Sequence, residues 1–249
     1  VRRSHLTHYR EWLRTHRSLT FPDYEALHRW SVSEVEAFWE SLWTYFDIIS
    51  HTPYTSVLSD HHMPGARWFE GATLNYAEHI FRRRTDSHPA ILFQSEDQPL
   101  REMSWQELHG RVASLAGWLR DAGVEAGDRI VGVLPNVPEA TIAFLAACSI
   151  GAVWSSCSPD FGAQSVVDRF QQIEPKVLLA TDGYRYGGKA FDKMGGLAEI
   201  CGQLPSLQQV ILIPWLNASS SPSGLPGGTL WNETQQQTDR PLTFEALPF

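Results

Sequence analysis

Lysine is almost missing from this 249-residue chain: three of its twenty basic residues are Lys, at 176, 189 and 193, and the rest are Arg. Acids outnumber bases 28 to 20, and the formal charge of −8 argues against nucleic acid as a partner, because phosphate backbones demand clustered positive charge. Cysteine is scarce. Cys148, Cys157 and Cys201 are odd in number and form no CxxC, so neither a disulfide framework nor a zinc site is indicated, and a reducing cytoplasm fits best. No apolar run approaches the roughly 20 residues of a membrane span, and no signal-peptide core opens the chain. Nucleotide and hydrolase signatures are absent too. No G-x-G occurs, Gly187-Gly188-Lys189 continues into Ala190 rather than Ser or Thr, and GxSxG and HExxH are missing. His61 and His62 have no third ligand near them in sequence, so no metal site is expected.

What is present is core-forming material. Hydrophobic residues make up 43% of the chain and ten are Trp, which excludes general disorder. Residues 1–62 read as a helical N-terminal cap. Ser33-x-x-Glu36 has the form of a capping box opening a helix to about Asp47. Val35, Phe38, Trp39, Leu42, Trp43 and Phe46 share one face of that helix at 3.6 spacing, a packing surface expected to dock the cap onto the next domain. Residues 63–249 alternate strands and helices. Strands are expected at 90–93, 129–134, 152–156, 177–180 and 209–213. Helices are expected at about 104–121, 138–150, 163–173 and 192–204. The fold class is therefore α/β, an open and mainly parallel sheet with helices on both faces. Residues 217–229 are Ser/Gly/Pro-rich and read as a loop or linker. The last ten residues carry no stop signal, so the fold is expected to be unfinished at Phe249.

Residues 127–162 are the most informative stretch. Arg129–Leu134 is a short β-rich run ended by Pro135-Asn136, Pro138 suits a first helical turn, and Gly151 falls where a left-handed C-cap belongs. Parallel sheets bind ligands outside the carboxyl ends of their strands. Two loops fall there. Ser155 to Gln164 is polar and precedes a helix N-terminus, which favours anions, or is ordinary loop and capping chemistry. Asp182 to Lys189 combines Arg185, Lys189, two Tyr and three Gly. It suits a phosphate-bearing aromatic ligand, with Arg for bidentate phosphate contact and Tyr for stacking, or is a solvated basic turn.

Three segments carry a resemblance. Trp68-Phe-Glu-Gly-Ala-Thr-Leu-Asn75-Tyr-Ala-Glu, Gly127-Asp128 through Pro138-Glu139-Ala140, and Gly151-Ala-Val-Trp154-Ser-Ser-Cys-Ser-Pro-Asp-Phe161-Gly162 together resemble the acetyl-CoA-synthetase-like group of adenylate-forming enzymes, in its acetoacetate-activating branch. The resemblance implies an ATP-, Mg2+- and CoA-dependent ligase acting on small molecules, here acetoacetate, through an acyl-adenylate. Related acetyl- or propionyl-activating ligases, or an inert binding module derived from one, are the alternatives. It also implies that residues 63–249 are only the first α/β part of an AMP-binding domain, ending before the phosphate loop. No catalytic residue is then expected in this chain, and it should be inactive without the remainder of the ligase. The nucleotide end of CoA is the role that survives: by position Phe161 would pack near adenine, Gly162 would allow close approach, and Arg185 would meet the 3′-phosphate. Lys189, one position beyond the family's spacing, would be the second cation.

Overall fold

A computed structural model describes residues 4–82, 84–237 and 239–249. The chain divides into two compact units, Val1–Leu74 with Ala246–Phe249, and Asn75–Glu245.

The first unit opens with three helices, α1 (His5–Arg17), α2 (Tyr24–Ser33) and α3 (Val35–Tyr45). Ser4 and Asp23 cap the first two, accepting from the amides of Thr7 and Ala26 at 3.2 and 2.8 Å. The capping box expected at Ser33 does not form. Ser33 is the last residue of α2, its hydroxyl turns back to the Trp30 carbonyl, and α3 starts from Glu34 with no side-chain cap. Tyr9, Leu13 and Leu27 form the helical core, with Trp30, Phe38, Leu42 and Tyr45 packed on it. The buried Tyr9 hydroxyl is satisfied by Ser41 Oγ at 2.5 Å.

Sequence periodicity placed one aromatic stripe on α3, but the structure divides it. Phe38 and Leu42 face the helical core. Trp39 and Trp43 meet a hairpin made of β1 (Ser56–Asp60) and β2 (Arg67–Glu70), Trp39 against Trp68 at 5.6 Å and Trp43 stacked on Phe69 at 4.3 Å. Both halves of the stripe are thus used within this unit. Short strand β3 (Thr73–Leu74) pairs antiparallel with Leu247–Pro248, and the Phe249 ring lies 4.9 Å from Phe69.

The second unit begins at Asn75, 2% exposed, whose Oδ1 accepts from Ala77 N at 2.9 Å and so caps α4 (Tyr76–Phe81). Its Nδ2 donates to the carbonyls of Cys148 and Glu245 at 2.8 and 2.9 Å. One amide therefore joins three stretches far apart in sequence. β4 (Ile91–Phe93) and β5 (Arg101–Met103) come next as a separate antiparallel hairpin. After them are α5 (Trp105–Asp121), capped by Ser104, then β6 (Arg129–Val133), α6 (Pro138–Ser149) and β7 (Val153–Cys157). Pro138 opens α6, and Gly151 takes φ +76 just past its end, as the sequence requires. α7 (Ala163–Phe170), β8 (Val177–Thr181), a hairpin of β9 (Gly183–Tyr186) and β10 (Lys189–Asp192), α8 (Met194–Gln203), β11 (Gln209–Ile213) and β12 (Thr229–Leu230) complete it. A 3-10 turn, Trp231–Gln235, closes the series.

The main sheet is five-stranded and parallel, in the order β12-β11-β8-β6-β7. The expected number of strands is met with one exchange. The strand expected at 90–93 leaves for the β4–β5 hairpin, and Thr229–Leu230, at the edge of the expected loop, adds to β11. Every residue of β8 is buried, because helices cover both faces. Ile130, Val177, Leu179 and Ile211 pack beneath α5 and α6. Val131, Leu178, Ala180 and Leu212 pack beneath α7 and α8. Strand alternation turns a continuous apolar run into these two cores. The three cysteines are free, and burial pushes the thiols of Cys148 and Cys201 up to about 11, so neither is reactive at neutral pH. Among the described residues no helix is long and apolar enough to cross a membrane.

Asn75→Asp keeps the cap of α4 but replaces a donor by an anionic acceptor facing the Cys148 and Glu245 carbonyls. The expected loss is about 2–4 kcal/mol in urea unfolding, since a buried polar group is left opposed rather than paired. A loss below about 0.5 kcal/mol, the scale of surface substitutions, would show that this junction is not structural.

Candidate functional site

Strand order decides where a ligand has access. From β6 the chain moves to β7 on one side, then crosses back to β8 and on to β11 on the other. Loops leaving β6 and β8 therefore diverge at a switch point, where open α/β sheets form a crevice. A cleft of about 490 Å³ lies there. It is lined by Leu134–Val137 after β6, Ser158–Asp160 after β7, and Tyr184–Tyr186 of the β9–β10 hairpin, with Phe93–Asp97 and Trp215 completing the wall. A wider depression of about 690 Å³ on α1 is an open surface groove of the other unit and gathers no strand ends.

Carboxylates hold the wall segments after β7 and β11 and the hairpin. Asp182, 2% exposed at the end of β8, accepts from the backbone amides of Trp215, Leu216 and Asn217 at 2.7, 2.8 and 2.8 Å and from Ser220 Oγ at 2.7 Å. It fixes the loop after β11, and with it Trp215, whose indole meets Phe93 at 5.6 Å. Tyr184 donates a hydrogen bond to Asp160, which pushes the phenol up to about 12 and ties the loop after β7 to the hairpin. Asp160 is braced in turn by Ser158 Oγ at 3.1 Å.

The hairpin changes the meaning of its glycines. Gly187 and Gly188 sit at φ +59 and +73, as a two-residue turn between paired Tyr186 and Lys189 demands. Their amides are not open to an external anion in this structure. Glu96 accepts from both, at 2.8 and 2.9 Å, and those two bonds hold its carboxyl below its ordinary value. Arg185 Nε lies 3.3 Å from Asp97 Oδ2, both side chains being about half exposed.

The four residues singled out from sequence are placed differently from one another. Arg185 lines the cleft. Phe161 comes directly after Asp160, is 40% exposed, and has the Arg169 guanidinium 4.8 Å from its ring centroid. Gly162 is the N-cap of α7, and a Cβ there would meet nothing within 4 Å, so the fold itself does not require glycine. Lys189 pairs with Tyr186 across the hairpin while Arg185 pairs with Ala190, so alternation puts the two cations on opposite faces. The Lys189 face also carries Tyr184 stacked on Phe191 at 5.1 Å, with Lys193 Nζ 5.5 Å from the Tyr184 ring. Sequence reading missed Glu96, Asp97 and Trp215. Trp215 was within reach, since it lies just beyond β11 at the same sheet edge. The acidic pair was not, because residues 90–93 were assigned to the main sheet.

A family model described as AMP-binding enzyme matches residues 78–242. The chain belongs to that family. A second model, acetyl-coenzyme A synthetase N-terminus, matches residues 24–80. Among solved structures, the chain is similar to acetoacetyl-CoA synthetase from Streptomyces lividans, with TM-score 0.93 and 45% identity over 99% of this chain and 38% of that one. Among curated relatives it is 38% identical to acetoacetyl-coenzyme A synthetase of Rhizobium meliloti, over 100% of this chain and 38% of that protein. It is 36% identical to the Macaca fascicularis acetoacetyl-CoA synthetase, over 93% and 36% respectively. The chain thus spans little more than a third of the length of these relatives.

The Glu96 carboxyl, depressed in the fold, contributes hairpin stability that is present above its unfolded value and lost as pH falls through its lower folded value. Exchange protection of the Gly187 and Gly188 amides should therefore be full above pH 4.5, the ordinary value, and decay as the pH is lowered past it. Protection unchanged across that range, or unchanged in Glu96→Ala, would remove Glu96 as the tether.

Proposed function

We propose that this chain is the N-terminal part of an AMP-forming acetoacetate–CoA ligase, which converts acetoacetate, ATP and CoA to acetoacetyl-CoA, AMP and diphosphate through an acyl-adenylate. The observation that carries this reading is the match to acetoacetyl-CoA synthetases over essentially the whole chain, at 45% identity in the structural comparison. Magnesium enters with ATP as part of the substrate. Free thiols suit a cytoplasmic protein.

Within that enzyme the strand-end cleft receives the nucleotide end of CoA. Arg185 meets the 3′-phosphate with a forked guanidinium, the geometry best matched to a tetrahedral anion. Phe161 supplies an apolar face for adenine, and the open space at Gly162 admits the ligand's backbone contact. Lys189, on the opposite face of the hairpin from Arg185 and outside the cleft lining, contributes long-range charge rather than a direct contact. The magnitude is modest. Charge-assisted hydrogen bonds give roughly 1.5–3 kcal/mol each before screening of a half-exposed cation. Two of them sum to about 3–6 kcal/mol, roughly millimolar to tens of micromolar before screening and ordering costs, so the isolated chain binds CoA weakly.

Calorimetric or NMR titration should show CoA preferred over dephospho-CoA, and Arg185→Ala should abolish that preference. An unchanged preference would take Arg185 out of the site. ATP–diphosphate exchange dependent on acetoacetate should appear with the complete polypeptide and be absent from the 249-residue chain. Exchange by the short chain would overturn the fragment reading, and faster exchange with acetate or propionate would reassign the substrate.

A further inference from the structure

Three of the donors that the hairpin offers a phosphate already face this chain's own carboxylates. Glu96 accepts from the Gly187 and Gly188 amides, and Asp97 forms an ion pair with Arg185 Nε at 3.3 Å. Two carboxylates thus cover three donors clustered at one hairpin tip, a set that a single phosphate with three acceptor oxygens would also satisfy. We propose that the Ser95–Gln98 loop is an internal phosphate mimic, a strap that occupies the anion site of the β9–β10 hairpin and must exchange with the phosphomonoester of an incoming ligand.

Three features make the loop suited to exchange. It joins β4 to β5, a hairpin outside the five-stranded sheet, so its displacement breaks no bond of the main sheet. Its own order rests on short-range contacts, Ser95 Oγ to Asp97 Oδ1 at 2.8 Å and Ser95 N to the Gln98 carbonyl at 3.4 Å. Both acids are substantially exposed even when seated, so their release into water costs little beyond the contacts themselves. While the strap is seated, Glu96, Asp97 and the nearby Asp160 confront an arriving dianion with like charge. Once it leaves, Arg185 and two glycine amides are uncovered together. The proposal rests on the reading of this hairpin as the phosphate-binding element, and it adds that affinity there is set by competition rather than by the cation alone.

The test titrates the 249-residue chain with 3′,5′-ADP, and with 5′-AMP as the control lacking the 3′-phosphate, tracking the Gly187 and Gly188 amides by NMR. Asp97→Asn should bind 3′,5′-ADP about three- to tenfold more tightly, the range expected for removing one half-exposed opposing charge. Its 5′-AMP binding should not change. Glu96→Gln, which still accepts one amide bond, should behave the same way and guards against loss of the hairpin tip in the first variant. On addition of 3′,5′-ADP the two glycine amides should shift in both variants at concentrations that leave the parent unmoved. Unchanged or weaker 3′,5′-ADP binding in both variants overturns the strap, whatever the parent does. If CoA is still preferred over dephospho-CoA and Arg185→Ala still removes that preference, the site stands without its strap. A gain shared equally by 5′-AMP overturns it too, since that would be general charge relief.

Discussion

A parallel sheet covered by helices on both faces can be reached only at its ends, and this constraint governs the rest of the molecule. Its central strand, β8, is buried along its whole length, with Leu178 and Leu179 facing opposite cores. No ligand can approach those faces without dismantling a core whose residues each contribute on the order of 1.5–3 kcal/mol. Chemistry is therefore confined to the loops at strand ends. Because β6 leads to β7 on one side and β8 leads to β11 on the other, the loops leaving β6 and β8 part there and leave the cleft between them.

Those loops lie at the edge of a sheet whose backbone groups are already paired, so something else must order them. Carboxylates serve that purpose repeatedly. Asp182 gathers three amides and a hydroxyl after β11, Asp160 holds Tyr184, and Glu96 holds the hairpin turn. An acid can accept several amide bonds at once, which makes it an efficient organiser of irregular backbone. The consequence is a negative rim around the cleft cation Arg185, and any anionic ligand has to contend with it. At the opposite edge the rare lysine is structural: Lys176 bonds Asp128 at 2.7 Å and the Gly123 carbonyl at 2.6 Å, bracing the starts of β8 and β6.

Local chemistry made much of this legible. Pro138 and Gly151 mark the limits of α6, Ser104 caps α5, and the short apolar runs at 129–134, 177–180 and 209–213 are strands because their neighbours stop them. Other local signals misled. Ser33-x-x-Glu36 has the composition of a capping box, but the preceding helix extends through Ser33 and leaves no turn for it to cap. What local composition does not show is that Gly187 and Gly188 after β8 form a two-residue hairpin turn whose amides meet Glu96.

Sequence alone determined the periodic elements, the acid excess, the edge of the sheet to which both candidate loops belong, and the family to which the chain belongs. Each of these depends on residues near one another in the chain or on short motifs. Tertiary structure decided which strands share the sheet, that Arg185 and Lys189 face apart, and that Glu96 and Asp97 reach across some ninety residues to the hairpin. Strand partnership and pleat parity depend on pairing between distant segments, and no local pattern of residue types encodes a pairing.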